Sequence, residues 1–334
     1  MAEARWYDKG SNQNVQCRLC PHQCVLTDGA SGICRVRSNR GGILYSDIYG
    51  KISAIHVDPI EKKPLYHFYP GRPILSIGSV GCNMRCKFCQ NCEISQVGVM
   101  QSAFLRALST EEIVERAIAV PGNIGVAYTY NEPSIWIEFM AEIALKLHQI
   151  FLKNVMVTNG YINPEPLSEI LEYMDGFSVD LKGFNENFYR KLTSSGLKAV
   201  KQSLVQISRS DKHLEIVNLV IPGYNDEPHV FEEMVKWISG TLGEKTVLHL
   251  SAYFPRYQFN EPPTRPATIE SLKDIALKHL VFVYSGNLGP DQNDTCCPFC
   301  NNLLVQRNGY VTRIKGADDS GRCLVCGKLV FQNF

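Results

Sequence analysis

Residues 81–92 have the sequence GCNMRCKFCQNC, and this stretch is the strongest indication of the fold. Its first three cysteines, at C-x3-C-x2-C spacing, bring three thiolates around one small object. A [4Fe–4S] cube has four iron corners, so ligation by Cys82, Cys86 and Cys89 would leave one iron free to bind another ligand. The competing interpretation is a zinc ion with Cys92 as the fourth ligand, although structural zinc sites usually join two CxxC-like pairs on separate turns.

Short apolar segments alternate with longer amphipathic ones around this stretch. Their periodicity predicts strands at residues 74–79, 124–130, 155–158, 177–180, 214–221 and 246–250, with a further strand at 281–284. It predicts helices at residues 110–119, 134–148, 166–173, 186–191, 199–208, 227–238 and 269–280. Because strand–helix alternation without tight hairpins implies parallel strands, we expect an α/β fold, a partial (β/α)6 TIM-like barrel.

A doubly wound sheet is the alternative to the barrel. The barrel is preferred because the cysteine stretch directly follows the first predicted strand, where parallel barrels place their active sites. Residues 58–67 are charged and interrupted by proline, so they are predicted to be a loop.

The 13 cysteines fall into three groups, which suggests three metal sites. Disulfides would be expected in a small secreted protein, whereas close cysteine spacing in a long chain without an export signal favours metal. We therefore expect a cysteine-rich N-terminal extension at residues 1–70, a core barrel at 71–289 and a C-terminal metal module at 290–334.

The C-terminal group contains two CxxC pairs, which resemble a zinc ribbon or a rubredoxin-like module. We expect zinc on Cys297, Cys300, Cys323 and Cys326, with a single-iron electron-transfer centre as the alternative. The N-terminal group offers Cys17, Cys20, Cys24 and Cys34, where both zinc and an iron–sulfur cluster are chemically open and zinc is favoured. His22 and Cys296 are expected to be bystanders.

Composition narrows the classes of function. Lys plus Arg number 34 against 33 Asp plus Glu, so the chain lacks the broad basic field that binds nucleic acid or anionic membranes. It has no apolar run long enough to span a bilayer, and residues 1–16 lack the apolar core of a signal peptide, so a cytosolic protein without membrane partners is expected. A zinc-ribbon nucleic-acid-binding protein and a multi-centre electron carrier are the competing functions.

The C-x3-C-x2-C spacing of Cys82, Cys86 and Cys89, with Phe88 directly before Cys89, resembles the signature of the radical S-adenosylmethionine (SAM) superfamily. Segments that follow the later strands agree with this resemblance: residues 128–133, Thr158-Asn159-Gly160, Asp180-Leu181-Lys182 and residues 221–226. Over nearly its whole length the chain resembles the radical SAM protein of the AmmeMemoRadiSam system, related to the pyruvate formate-lyase activating enzymes. That closer resemblance rests on CPHxC near residue 20, DPIEKKPLYH at residues 58–67 and Cys89-Gln90-Asn91.

The resemblance implies a radical SAM oxidoreductase. SAM would chelate the open iron, and its reductive cleavage would yield a 5′-deoxyadenosyl radical that abstracts hydrogen from a substrate. The substrate would be a glycine of a partner enzyme, as for activating enzymes, or another protein or small molecule, and ferredoxin or flavodoxin would supply the electron. The residues that the resemblance places around SAM are Phe88, Tyr130, Asn131, Glu132, Asn159, Asp180, Lys182, Val220, Ile221 and His249.

The ligand assignment can be tested by replacing cysteines one at a time. Cys82→Ala, Cys86→Ala or Cys89→Ala should each remove about four irons from anaerobically reconstituted protein, because a cube rarely survives without one of its thiolates. Cys92→Ala is the matched control and should keep them. Iron and sulfide analysis measures both, and loss of the irons in Cys92→Ala would overturn the assignment.

Overall fold

The computed structural model describes residues 1–289 and 293–334. Its N-terminal part consists of short strands: β1 (Ala2–Glu3), β2 (Tyr7–Lys9), β3 (Val15–Cys17), β4 (Val25–Leu26), β5 (Arg37–Arg40), β6 (Ile43–Ser46) and β7 (Lys51–Ile52). Six of them form two three-stranded antiparallel sheets, ordered β1-β6-β5 and β2-β3-β4. Cys17, Cys20, Cys24 and Cys34 lie on or between these strands, so the predicted N-terminal metal ligands are close together in the chain.

The centre of the molecule is an eight-stranded sheet. It begins with β8 (Ala54–Pro59) and β9 (Pro73–Gly78), and a short β10 (Arg106–Ala107) pairs instead with β7. The sheet continues with β11 (Gly125–Tyr128), β12 (Lys153–Thr158), β13 (Gly176–Asp180), β14 (His213–Val220), β15 (Val247–Ala252) and β16 (Val283–Gly286). Its spatial order, β16-β15-β14-β13-β12-β11-β9-β8, follows the chain without reversal. A doubly wound sheet would reverse its order at a switch point, so the predicted partial barrel is confirmed.

Helices connect the strands: α1 (Cys92–Ser95), α2 (Thr110–Ala119), α3 (Ile137–Gln149), α4 (Pro164–Tyr173), α5 (Glu186–Phe188), α6 (Leu197–Ser208), α7 (Pro228–Leu242) and α8 (Pro266–Ala276). Single turns of 3-10 helix occur at Ile60–Lys62, Val99–Gln101 and Pro133–Trp136, and a π-helical turn at Tyr189–Thr193. Ser109 caps α2 by accepting the Glu112 N–H at 3.1 Å, while the Glu112 carboxylate accepts the Ser109 N–H at 2.7 Å. No helix of the described residues is both long and apolar enough to cross a membrane.

The structure differs from the predicted elements at the start of the sheet. Residues 58–67 are not wholly loop, because β8 runs through Pro59 and a 3-10 turn follows at Ile60–Lys62. Proline is tolerated there because β8 is an antiparallel edge strand, where one missing backbone donor leaves no gap between strands. The sheet thus begins before residue 71 and contains seven parallel strands, since the further strand at β16 does form. The predicted boundary between residues 289 and 290 adjoins residues 290–292, which lie outside the described residues.

The N-terminal part shares one apolar core with the barrel. A buried ion pair lies within this junction: the Arg37 guanidinium donates to the two carboxylate oxygens of Glu138 on α3, at 2.9 and 3.2 Å. The two side chains are only 1 % and 5 % exposed, so neither charge is solvated if the other is removed. The cysteine-bearing strands are therefore fixed rigidly against the barrel.

The C-terminal module has a small sheet of β17 (Thr295–Cys296), β18 (Leu303–Asn308) and β19 (Val311–Ile314). It packs at the N-terminal ends of the barrel strands, against the segment that joins β8 to β9. There the buried Arg307 guanidinium donates to the Tyr66 carbonyl at 2.7 Å, and the Asn333 carbonyl accepts the Tyr69 N–H at 2.9 Å. The module thus lies at the end of the barrel opposite to the carboxyl ends of its strands.

Removing one partner of the buried ion pair should destabilise the whole chain. Glu138→Ala should lower the free energy of unfolding by about 3–5 kcal/mol, because the Arg37 charge is then buried without compensation. Urea unfolding measures the change. Asp8→Ala, which breaks the solvent-exposed Asp8–Arg18 pair, is the control and should leave the unfolding midpoint in place. Equal midpoints for both variants would contradict this account.

Candidate active site

A cavity of about 360 Å³ opens at the carboxyl ends of the barrel strands. Its lining side chains come mostly from the last residues of the strands in the central sheet and from the segments that follow these strands. The lining includes Cys82, Cys86, Phe88, Cys89, Tyr130, Asn131, Glu132, Thr158, Asn159, Asp180, Lys182, Leu219 and Ser251. Most of the side chains that the sequence singled out therefore meet in one cavity.

The cysteine loop has no regular secondary structure and is held by bonds to its neighbours. The backbone N–H groups of Arg85 and Lys87 donate to the carbonyls of Thr193 and Leu192, at 2.8 and 2.9 Å, in the π-helical turn. On the other side, the Asn131 side-chain amide donates to the carbonyl of Gly81 at 3.2 Å. These bonds fix the backbone between the three thiols, so their separation is built into the fold.

The thiol environment suits a metal cluster. Burial raises the pKa of Cys86 to about 12 and also raises the pKa values of Cys82 and Cys89, although the nearby Lys182 charge opposes the shift at Cys86 and Cys89. In the described part of the chain, only the C-terminal cysteine group has three or more ligand atoms within 4.8 Å of one another. The three central thiols do not form such a group, which is compatible with a cube whose corners bind separate thiols.

Glu132 connects the loops that follow β11 and β12. One of its carboxylate oxygens accepts the Thr158 hydroxyl at 2.7 Å and the Ser134 N–H at 3.0 Å, and the other accepts the Asn159 N–H at 2.9 Å. Burial raises the pKa of Glu132, while these donors oppose that shift. The Asn159 amide is in turn 3.6 Å from the Cys82 sulfur, so Glu132 positions a side chain that contacts a thiol.

An ion pair stands on the far wall of the cavity. Lys182 Nζ donates to Asp180 Oδ2 at 2.7 Å, directly after β13. Burial opposes the charge of Lys182, but Asp180 and Cys86 together raise its pKa above the ordinary value. The ammonium group is therefore charged at neutral pH and stands beside the thiols.

Three residues expected at the SAM site do not line the cavity. His249 lies inside β15, and its Nε2 is 2.6 Å from Glu215 Oε2 in a buried pair near the strand starts. Val220 and Ile221 are fully buried in the core, and Val217 and Leu219 of the same strand line the cavity instead. The geometry supports a structural role for His249.

Two lysines that the sequence analysis did not select, Lys62 and Lys63, line the cavity. Asp58 accepts hydrogen bonds from Lys62 at 2.9 Å, Lys63 at 2.7 Å and the Tyr130 hydroxyl at 2.7 Å. Although burial opposes its charge, these donors lower the pKa of Asp58 below its usual range. In the sequence, the high proportion of charged residues in 58–67 was the feature that could have indicated a functional segment.

The Radical SAM superfamily model matches residues 76–238, which run from within β9 to within α7 and include the cysteine loop. The chain belongs to the radical SAM superfamily. Uncharacterized protein MJ0808 of Methanocaldococcus jannaschii is 37 % identical over 99 % of both chains. The 4-hydroxyphenylacetate decarboxylase activating enzyme of Clostridioides difficile is 21 % identical over 49 % of this chain and 56 % of its own length.

The barrel also resembles a solved radical SAM structure. SuiB of Streptococcus suis bound to S-adenosylmethionine has a TM-score of 0.50, with 13 % identity over 72 % of this chain and 54 % of the other. This similarity concerns the fold. Membership of the superfamily is what favours an enzyme over a nucleic-acid-binding protein or a simple electron carrier.

The two outer cysteine groups differ in geometry. The sulfurs of Cys297, Cys300, Cys323 and Cys326 lie within 4.8 Å of one another, with Cys297–Cys326 and Cys300–Cys323 each 3.6 Å apart. Cys17, Cys20, Cys24 and Cys34 instead surround a small separate cavity next to the cysteine loop. His22 points its Nε2 at the Asn83 carbonyl, 2.7 Å away.

Replacing His249 tests its structural role. His249→Phe should lower the free energy of unfolding by about 1–3 kcal/mol, because the buried Glu215 carboxylate loses a partner. SAM affinity of the folded protein, measured by equilibrium binding, should stay unchanged. Weakened SAM binding in a variant of undiminished stability would restore the role in SAM binding.

Proposed function

We propose that this radical SAM enzyme is an oxidoreductase that holds a [4Fe–4S] cluster on Cys82, Cys86 and Cys89 and uses SAM to abstract hydrogen from a protein substrate. One observation carries the proposal: the three thiols share a single cavity with the Asp180–Lys182 pair and the Asn159 side chain. When bound, the cluster and SAM supply a 5′-deoxyadenosyl radical. The residues of the chain would bind and orient SAM and the substrate and exclude water from the cavity.

The walls of the cavity suit the parts of SAM. The charged Lys182 and Asp180 offer groups of both signs at the end of β13, matching the carboxylate and amino groups of the methionine part. Leu219 and Val217 supply an apolar surface at the neighbouring strand for the adenine ring. The buried Glu132 acts indirectly: its carboxylate accepts the Asn159 N–H and so holds Asn159 in position.

A protein substrate is supported by the rim of the cavity and by the relatives. The loop after β15 is fixed over the cysteine loop: Gln90 donates to the Phe254 carbonyl at 2.9 Å, and the Gln258 N–H donates to the Lys87 carbonyl at 3.0 Å. Phe254 and Tyr257 on that loop are 49 % and 42 % exposed, an apolar edge suited to an incoming polypeptide. The relatives named as activating enzymes favour a glycine of a partner enzyme as the hydrogen donor.

The other components of the system follow from chemistry. Reductive cleavage consumes one electron for each SAM, so a low-potential carrier such as cytosolic ferredoxin or flavodoxin is proposed as the donor. At the C-terminal group, zinc is proposed, since Zn–S bonds of about 2.3 Å place tetrahedral sulfurs about 3.8 Å apart. The observed separations of 3.6 Å support a single ion in a closed, structural site.

The function can be tested without the natural substrate. Reduced with dithionite, the protein should convert SAM to 5′-deoxyadenosine and methionine, which chromatography can measure. Lys182→Ala should weaken SAM binding by about ten-fold or more, the loss expected for a charged hydrogen bond, while iron content stays constant. Lys201→Ala, on the outer face of α6 beside Trp237, is the control. Formation of S-adenosylhomocysteine in place of 5′-deoxyadenosine would show methyl transfer and contradict the proposal.

A further inference from the structure

The N-terminal cysteines enclose a second, separate cavity. Cys17, Cys20, Cys24 and Cys34 all line it, together with the apolar side chains Leu19, Leu26, Ile33 and Ile135. Gly32 lies between two of the thiols, and a Cβ there would be 3.7 Å from the sulfurs of both Cys24 and Cys34. The cavity measures about 20 Å³, and the absence of a side chain at Gly32 keeps it open beside Cys24 and Cys34.

The spacing of these thiols argues against a single ion. A tetrahedral zinc site requires sulfurs about 3.8 Å apart, and the C-terminal group meets that requirement. Among the described residues, the N-terminal thiols form no such set, since no three of their sulfurs lie within 4.8 Å of one another. The central thiols form no such set either. Both sets are therefore compatible with a group larger than one ion, whose corners bind separate thiols.

A buried charge also borders the cavity. Arg37 is 1 % exposed and lines the cavity wall, and its Nε has no hydrogen-bond partner although the rest of the guanidinium is bonded to protein. An unpartnered buried donor is costly unless an acceptor or an anion lies nearby. Any metal group ligated by four thiolates, a cluster or a zinc ion, carries net negative charge and would supply that partner.

The N-terminal cavity lies directly against the active-site loop. His22 contacts the Asn83 carbonyl, and the Asn83 side chain is 4.0 Å from the Cys82 sulfur. Gly81, with φ of +85°, lies so close that a Cβ there would be 2.6 Å from the Cys34 carbonyl oxygen. Gly81 alone thus lies between the backbone of Cys34 in the N-terminal set and that of Cys82 in the central set.

From these contacts we propose that Cys17, Cys20, Cys24 and Cys34 ligate an iron–sulfur cluster that relays electrons to the central cluster. The metal assignment stands on the N-terminal thiols alone, whereas the relay rests on the proposed function. One electron from a reduced flavodoxin or ferredoxin reduces the N-terminal cluster, which is reoxidised as the central cluster gains that electron. The electron is consumed when the C–S bond of one SAM breaks to give methionine, and the deoxyadenosyl fragment takes a hydrogen atom from the substrate.

Metal analysis of the full chain tests the assignment. The triple variant Cys82→Ala/Cys86→Ala/Cys89→Ala, reconstituted anaerobically, should retain about two to four irons with matching sulfide, according to cluster type, and about one zinc. Wild-type protein should carry these irons in addition to those of the central cluster. About two zinc ions, with iron limited to the central site of the wild type, would overturn the assignment whether or not the triple variant folds.

The relay is tested with two electron donors. In Cys17→Ala/Cys20→Ala, SAM cleavage driven by dithionite should persist, because a small reductant reaches the central cluster directly, whereas cleavage driven by reduced flavodoxin should fall to the rate without donor. Cys296→Ala, an exposed cysteine outside the three ligand sets, is the control and should keep both activities. Equal retention or equal loss with the two donors would overturn the relay. Wild-type protein inactive with both donors would refute the proposed function and leave the metal assignment to the iron count.

Discussion

The structure depends on holding three thiols at fixed separation on a loop that has no regular secondary structure. The segments that follow two of the parallel strands hold the loop in place. Asn131, after β11, binds the beginning of the loop, and the π-helical turn at Tyr189–Thr193, after β13, binds its middle. Burial raises the pKa values of these thiols, as expected for buried cysteines that have no metal bound.

The two ends of the barrel have separate tasks. At the strand starts, Glu215 accepts hydrogen bonds from His213, His249 and the backbone of Tyr66 and His67, which closes the barrel with a satisfied polar network. Although burial opposes its charge, the two histidines lower the pKa of Glu215 well below its usual value. The C-terminal module covers this end, whereas the N-terminal cysteines lie at the catalytic end.

The sequence predicted the parts of the fold that follow from local pattern. Each predicted barrel strand lies within a few residues of an observed one, because a buried parallel strand is a continuous apolar run. Such a run does not show which residue ends the strand, so the strand predicted at residues 246–250 stops short of Ala252, where β15 ends. Strand β8 was missed because an edge strand tolerates the charge and proline that otherwise indicate a loop. Lys63, shortly after β8, lines the active-site cavity. Its position there depends on long-range packing, which no local sequence pattern predicts.

The central claim is that SAM binds the cluster held by Cys82, Cys86 and Cys89. Electron paramagnetic resonance of the anaerobically reduced protein, recorded before and after addition of SAM, tests it most directly. The account predicts that the signal of the central cluster changes shape with SAM, because the ligand environment of its open iron changes. An iron–sulfur spectrum that is identical with and without SAM would contradict the account.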